Sequence, residues 1–354
     1  MPLTIHMMTS ALVPGDAIGN YVLSLATILR SWGCNLRLYS DFPNPRYPLE
    51  HIHSQNYNPN GRDILWMHYS IYSENVQLVR RTRDFVVLDS QNVCPAYLFH
   101  GYDAHMEQLC QRGDDELNTL MDHVDVTVVH TDYVRDDLKR RGYRLIRKLP
   151  MIVDTGRFTG DGAPSWDTLL EKLDYLLFVG RIVPQKNLTL ALTVFAELLR
   201  RRPGLKFFLV GARHLPEYAR ELDALAEQLG IAESVVFVGP VVEPDLLTSF
   251  YRHARFYLAL SEWESFCVPL AESLFFGTPV LGNAVPPIPE TMGPGGVVLG
   301  GDAAEMARQI DRIWDDQPRY RELQAAGQAH ASQFTDAKLR EALLGLFREL
   351  ASWR

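Results

Sequence analysis

The run Y-L-L-F-V-G-R-I-V-P-Q-K-N, residues 175–187, decides the fold class. Its first five residues are apolar and of strand length, Gly180 opens a loop, and a helical pattern follows over 189–201. The unit repeats downstream. Strands at 206–210, 235–238, 256–260, 280–282 and 296–299 alternate with helices at 216–229, 244–253 and 269–276. This alternation predicts a parallel, doubly wound sheet with right-handed crossovers. After Gly301 the pattern is helical to the end.

The first half reads the same way. A strand at 3–8, a loop T-S-A-L-V-P-G-D and a helix with Ile18, Val22, Leu25 and Leu29 on one face form its first unit, which Gly33 closes. The next strand runs through Leu36, Leu38 and Tyr39, and others are expected at 63–67, 85–88 and 124–129. The polar stretch 47–62 reads as an excursion and 132–141 as a surface helix. The run 156–164, behind L-P-M-I-V-D, marks a junction, giving domains 1–158 and 159–334 and a terminal helix, 335–354. The expected fold class is α/β, with two doubly wound Rossmann-like domains. Ligands of open parallel sheets bind at the carboxyl ends of strands. Functional residues are therefore expected in the loops leaving those ends, lining one cleft.

At 354 residues the chain is too long for one ordinary α/β domain and sufficient for two. Hydrophobic residues at 47% and charged residues at 22% fit a globular protein. A net charge of −8 argues against nucleic acid as a partner. Cys34, Cys94, Cys110 and Cys267 are scattered, without zinc spacing or a C-x-x-C pair, which suits a reducing compartment. The N-terminus lacks a basic n-region, and no apolar run reaches about eighteen residues. The expected location is cytoplasmic, at most peripheral to the inner face of a membrane.

Arg181 and Lys186 share the loop after the strand at 175–179. A guanidinium fork and an ammonium point charge there can clamp a diphosphate and stabilise charge on a departing nucleoside diphosphate. Taken alone, they read more simply as solvated surface cations. The loop 262–268 follows the strand at 256–260, with Pro269 as the expected first helical residue. Backbone N–H groups of Phe266, Cys267 and Val268 at that helix start offer an anion site. Glu264 precedes the helix, where its carboxylate can accept from sugar hydroxyls. Glu272 is expected in the first turn, within reach of a ribose diol; its simpler reading is an acid complementing the helix dipole.

The string G-R-x4-K-N, followed by E-S-F-C-V-P-L-A-E and F-G-T-P-V, resembles the E-x7-E retaining glycosyltransferases of family 4. In the first half, P-G-D-A-I-G-N, Q-N-V-C-P-A-Y-L-F and L-P-M-I-V-D resemble a bacterial branch of that family. The resemblance implies a GT-B fold with two domains facing a central cleft. It implies metal-independent transfer of a hexose-type sugar from a nucleotide-sugar donor, UDP- or GDP-linked, to a glycan or lipid-linked acceptor, as in polysaccharide biosynthesis. It also implies catalytic roles for Arg181 and Lys186 at the diphosphate and for Glu264 at the donor sugar. Ser265, Phe266, Cys267 and Val268 would lie around the donor, Glu272 on the ribose, and Val238, Gly239 and Val241 near the base. The last helix, 334–353, would cross back to the first domain. No cofactor is expected, the nucleotide-sugar being a substrate, and the chain has no strict D-x-D.

The resemblance places Gly15 and Asp16 at a first-domain phosphate contact, although Gly15 alone reads as a turn glycine. His68, Gln91 and His130 each follow an expected strand, and the two histidines are acceptor or cleft candidates. Related sequences usually carry His directly before the Asn-x-x-Pro that is here Asn92 to Pro95. This chain has Gln91 there, which can hydrogen bond a sugar hydroxyl but cannot hold a proton or charge. That substitution motivates an alternative, a catalytically silent GT-B partner that binds nucleotide or glycan. A nucleotide-sugar epimerase on the same fold is disfavoured by the second-half motifs, and a dinucleotide-dependent dehydrogenase by the lack of G-x-G-x-x-G after the first strand. Residues 135–148 hold Arg135, Lys139, Arg140, Arg141, Arg144, Arg147 and Lys148 against Asp136 and Asp137. They read either as an anionic-membrane contact delivering a lipid-linked acceptor or, more simply, as a solvated helix and loop.

Overall fold

The computed structural model describes residues 2–158, 160–241 and 243–352; Trp353 and Arg354, which the expected terminal helix includes, lie outside them. Contacts divide the chain into two units: Met1–His100 with Ala104–Asp154 and Phe334–Arg354, and Gly101–Asp103 with Thr155–Gln333.

The first unit carries strands β1 (Thr4–Ala11), β2 (Asn35–Phe42), β3 (Ile52–His53), β4 (Ile64–Tyr69), β5 (Phe85–Ser90), β6 (Val126–Val129) and β7 (Ile146–Lys148). They form a seven-stranded sheet in the order β3-β2-β1-β4-β5-β6-β7, every pair parallel. Between them run α1 (Ala17–Ser31), α2 (Gln77–Arg81), α3 (Ala104–Leu117) and α4 (Asp132–Arg140). Pairing from Thr4↔Asn35 to Ala11↔Phe42 carries β1 beyond the expected end at residue 8, through the Thr-Ser-Ala assigned to a loop. Similarly, β3 lies inside the supposed excursion, held by Tyr39↔Ile52. The sequence pattern did not reveal α3, which buries only Cys110, Gly113 and Leu117 and so lacks a continuous apolar stripe.

The second unit carries β8 (Tyr175–Val179), β9 (Lys206–Val210), β10 (Val235–Gly239), β11 (Phe256–Ala259), β12 (Val280–Gly282) and β13 (Gly296–Val298), parallel and ordered β10-β9-β8-β11-β12-β13. Its helices are α5 (Pro164–Leu170), α6 (Leu188–Arg201), α7 (Pro216–Gln228), α8 (Pro244–His253), α9 (Val268–Phe275), α10 (Ile288–Met292), α11 (Ala303–Trp314) and α12 (Gln317–Ala331). Alternate strand residues feed two cores. Leu176, Phe178, Phe207, Leu209 and Leu258 pack with α6, α7 and α11, whereas Tyr175, Leu177, Phe208, Tyr257 and Val280 pack with α5, α8, α9 and α10. A period-2 strand buried on both faces is what a doubly wound sheet requires.

The chain then returns to the first unit as α13 (Asp336–Ser352), which buries Leu339, Leu343, Leu346 and Leu350 at helical spacing. Phe347 packs edge-on to Trp32 at 6.2 Å, and Glu349 pairs with Arg147.

Both sheets begin at their centre. The strand order reverses at β1/β4 in one and at β8/β11 in the other. At such a switch point the two following loops diverge to opposite faces and leave a crevice at the carboxyl ends. Arg181 and Lys186 follow β8 and Glu264 follows β11; Gly15 and Asp16 follow β1, while His68 is the last residue but one of β4.

Candidate functional site

In the second unit, the backbone brings the β8 loop close to its neighbour. A Cβ on Gly211 would lie 1.7 Å from the Gly180 carbonyl oxygen, so only glycine allows this approach. A 3-10 turn, Pro184–Lys186, then presents Lys186, and the Gln185 carbonyl accepts from the Glu262 and Trp263 N–H groups at 2.9 and 3.4 Å. The two motif loops are thereby tied together. Lys186 Nζ donates to Glu264 Oε1 at 2.6 Å, and Ser261 Oγ donates to the same oxygen at 2.8 Å. Lys186 is not the solvated cation of the simpler reading. Burial pulls its ammonium down, but the Glu264 charge and hydrogen bond outweigh it and leave the group held above its ordinary range. Arg181 differs: it is exposed and, among the described residues, has no ion-pair partner.

Helix α9 starts at Val268, with Cys267 as N-cap and Pro269 as second residue, one position earlier than expected. Glu272 is therefore the fifth helical residue, outside the first turn, and the dipole explanation fails for it. Its carboxylate is buried and engaged at both oxygens: Arg157 pairs with Oε1, and the Tyr251 hydroxyl donates to Oε2 at 2.7 Å. Cys267 sits at φ 73°, and burial with the Glu264 charge pushes its thiol up, so it is a neutral neighbour of the pair. Phe266 is buried and its carbonyl accepts from Thr291 Oγ1 at 2.7 Å, which fixes the entry to α9; Ser265 and Val268 are half-buried. Val238 and Gly239 close β10 at a register shift, and Gly239 O accepts from Gly211 N–H at 2.9 Å. Val241 is half-buried against the α8/α9 core.

In the first unit, Asp16 is the N-cap of α1, accepting from Gly19 N–H at 2.5 Å, so a structural duty accounts for it. Gly15 turns at φ 83° in the open. His68 lies within β4, not after it, paired in register with Asp89. The structure gathers His68, Gln91 and His130 around that Asp89. Trp66 Nε1 donates to Asp89 Oδ2 at 3.0 Å, Gln91 Nε2 donates to Oδ1 at 2.8 Å, and His130 Nε2 lies 3.0 Å from Oδ1. His68 Nδ1 is 3.4 Å from Oδ2, and both of its ring nitrogens are buried without a hydrogen-bond partner. Burial drives the His68 imidazole down to about 4, the Asp89 charge opposing and His130 adding. For Asp89 itself burial pushes upward, but His130, His68 and the hydrogen bonds prevail and keep it ionised. Tyr21 lies edge-on to both imidazoles, at 5.8 and 4.8 Å.

Sequence reading missed Asp89 because the apolar run at 85–88 seemed to end before it; an acid inside a buried strand was the available signal. Among the described residues three non-glycines have positive φ: Asn92, Asn187 and Cys267. Each adjoins a motif residue (Gln91, Lys186 and the α9 start), so backbone strain concentrates where ligand contacts are expected.

The basic run is largely neutralised. Arg135 pairs with Asp132 and Asp136, Lys139 with Asp136, Arg140 with Asp137, Arg141 with Asp114 and Asp137, Arg147 with Glu349, and Lys148 with Asp132. Only Arg144 has no such partner among the described residues, which favours the solvated-helix reading over an anionic-membrane contact. No described helix is long and apolar enough to cross a membrane. Among the described residues no group of three or more His, Cys, Asp or Glu is placed to hold a metal.

Residues 166–330 match the family model described as Glycosyl transferases group 1. A D-inositol 3-phosphate glycosyltransferase of Acidothermus cellulolyticus is 36% identical over 224 residues, covering 59% of this chain and 49% of the relative. The chain spans about half the length, or less, of curated relatives at this level of identity. Sucrose-phosphate synthase from Thermosynechococcus elongatus aligns with a TM-score of 0.80 and 18% identity over 99% of this chain and 100% of its own. Anabaena HepE, solved in complex with UDP and glucose, aligns at 0.75 and 16% identity over 98% and 100%. At these identities the likeness is one of fold. Residues 166–330, within the second unit, are similar to the group 1 glycosyltransferases, and both units are Rossmann-like α/β domains of the GT-B type.

Proposed function

We propose that this chain is a retaining glycosyltransferase of family 4, moving a hexose-type sugar from a nucleoside-diphosphate donor to a glycan or lipid-linked acceptor hydroxyl. The observation that carries the reading is the Lys186–Glu264 pair at the β8/β11 switch point, with Arg181, which has no ion-pair partner among the described residues, on the same loop as Lys186. Arg181 and the remaining Lys186 protons take the diphosphate, together with the N–H groups at the start of α9. Lys186 and Ser261 both donate to Glu264 Oε1, and the carboxylate's remaining lone pairs accept from a sugar hydroxyl. The base lies toward Val238, Gly239 and Val241; β10 is two strands from β8, roughly 10 Å at ordinary strand spacing, a suitable span from diphosphate to base. Glu272, steadied by Arg157 and Tyr251, accepts from the ribose.

In this mechanism the bond from the anomeric carbon to the diphosphate breaks and one to the acceptor oxygen forms on the same face. A diphosphate oxygen takes the acceptor's proton, so no protein nucleophile and no metal is needed. The protein positions the donor and stabilises charge on the leaving group. Arg181→Ala tests this: weaker nucleoside-diphosphate binding without loss of stability supports it, and unchanged binding opposes it. A second reading, a GT-B protein that binds nucleotide without turnover, is favoured by Gln91 standing where the resemblance to family 4 leads one to expect His. It predicts tight UDP or GDP binding with no sugar released.

A further inference from the structure

Gln91 follows β5 with its backbone N–H donating to the Tyr69 carbonyl at 2.8 Å, and the next residue, Asn92, turns at φ 61°. Its side chain is buried against Asp89. Because a carboxylate only accepts, the amide nitrogen must face Asp89 Oδ1, as the 2.8 Å contact has it. The second amide hydrogen meets His130 Nε2 at 2.8 Å. His130 Nδ1 lies 3.1 Å from the Leu149 carbonyl, which also only accepts, so in the neutral ring Nδ1 carries the hydrogen and Nε2 receives from Gln91. Nε2 also lies 3.0 Å from Asp89 Oδ1, the oxygen that Gln91 holds. Gln91 Oε1 has no partner among the described residues and is the atom left for solvent.

We infer that Asp89 is a positioning residue that holds the Gln91 carboxamide nitrogen-inward, so that Gln91 meets a ligand hydroxyl as an acceptor, through Oε1, with a carboxylate charge behind it. An amide whose N–H donates to an anion becomes a better acceptor at its oxygen, since hydrogen-bonded groups in series polarise one another. A chargeless side chain thus presents a partial negative charge drawn from a buried acid one residue away from the surface. The choice of a sugar hydroxyl, and of positive charge growing on the sugar, rests on the glycosyl-transfer reading above. The orientation of the amide does not.

The experiment reads the two parts separately in the full chain. Side-chain amide exchange is followed by nitrogen-15 NMR, the Gln91 signal being identified by its absence in Gln91→Glu. The Gln91 amide protons are expected to exchange at least about tenfold more slowly than those of exposed glutamines. Protection is lost in Asp89→Asn and kept in Trp66→Phe, which removes only the donor on the other carboxylate oxygen. Unprotected Gln91 protons in the unaltered chain overturn the orientation, whether or not Asp89→Asn folds. UDP release from UDP-glucose is then measured. Asp89→Asn is expected to lower kcat about tenfold with KM within about twofold, and Trp66→Phe to change neither. Lost protection with unchanged kcat overturns the role toward the ligand. No UDP release by the unaltered chain counts against the activity proposed above, while the exchange result still decides the orientation.

Discussion

Lys186 Nζ and Glu264 Oε1 lie 2.6 Å apart although 78 residues separate them, because the loops that carry them leave adjacent strands at the point where the second sheet reverses its order. The pair is mostly buried, so each charge depends on the other. Glu264→Ala is expected to lower turnover far more than nucleotide affinity, and to cost about 3–5 kcal/mol of stability by stranding the ammonium. Glu264→Gln, which keeps an acceptor, separates the two effects. Initial rates, calorimetric binding and urea unfolding on both variants measure them. An equal fall in rate and affinity contradicts the role given to Glu264.

Arg181 is exposed and has no ion-pair partner among the described residues, so replacing it strands nothing. Arg181→Ala should leave the unfolding midpoint within about 0.5 kcal/mol of the parent. Nucleoside-diphosphate affinity should fall about tenfold, the worth of one charge-assisted contact. A large loss of stability would assign Arg181 to the scaffold.

Tyr251 donates to Glu272 Oε2, and Arg157 holds Oε1. Removing the hydroxyl in Tyr251→Phe takes a buried donor away from the Glu272 carboxylate, at about 1–3 kcal/mol. If Glu272 serves the ribose, UDP affinity should drop in this variant while inorganic pyrophosphate affinity holds. Parallel losses for both probes would place Glu272 outside the nucleoside site.

His68 gives stability a pH dependence of definite sign. Burial lowers its imidazole to about 4 in the folded chain, against about 6.5 when unfolded. Between these values the unfolded chain binds a proton that the folded chain refuses, so stability rises with pH across this window and levels off above it. The rise amounts to roughly 3 kcal/mol. His68→Gln should flatten it in urea titrations from about pH 4.5 to 7.5. An unchanged slope would locate the titrating group elsewhere.

Where hydrophobic periodicity carries the information, the sequence was legible. Both sheets, the strand–loop–helix rhythm and the loops bearing Arg181, Lys186 and Glu264 follow from apolar runs such as 175–179. Short or polar elements escape that signal: β3 and β7 are two and three residues long and owe their existence to a neighbouring strand. Charge pairing was equally hidden. Asp89 could not be seen as a hub for Gln91, His68 and His130, because its partners are 2, 21 and 41 residues away. Nor did the basic run between Arg135 and Lys148 disclose that Asp114, Asp132 and Glu349 would neutralise much of it.

The most direct test is calorimetric titration of the full chain with UDP and GDP, each with and without EDTA, repeated on Arg181→Ala. Saturable binding of one diphosphate is expected, unaffected by the chelator and about tenfold weaker in the variant. Binding of neither nucleotide, or binding indifferent to Arg181, would contradict a donor site at the β8/β11 switch point.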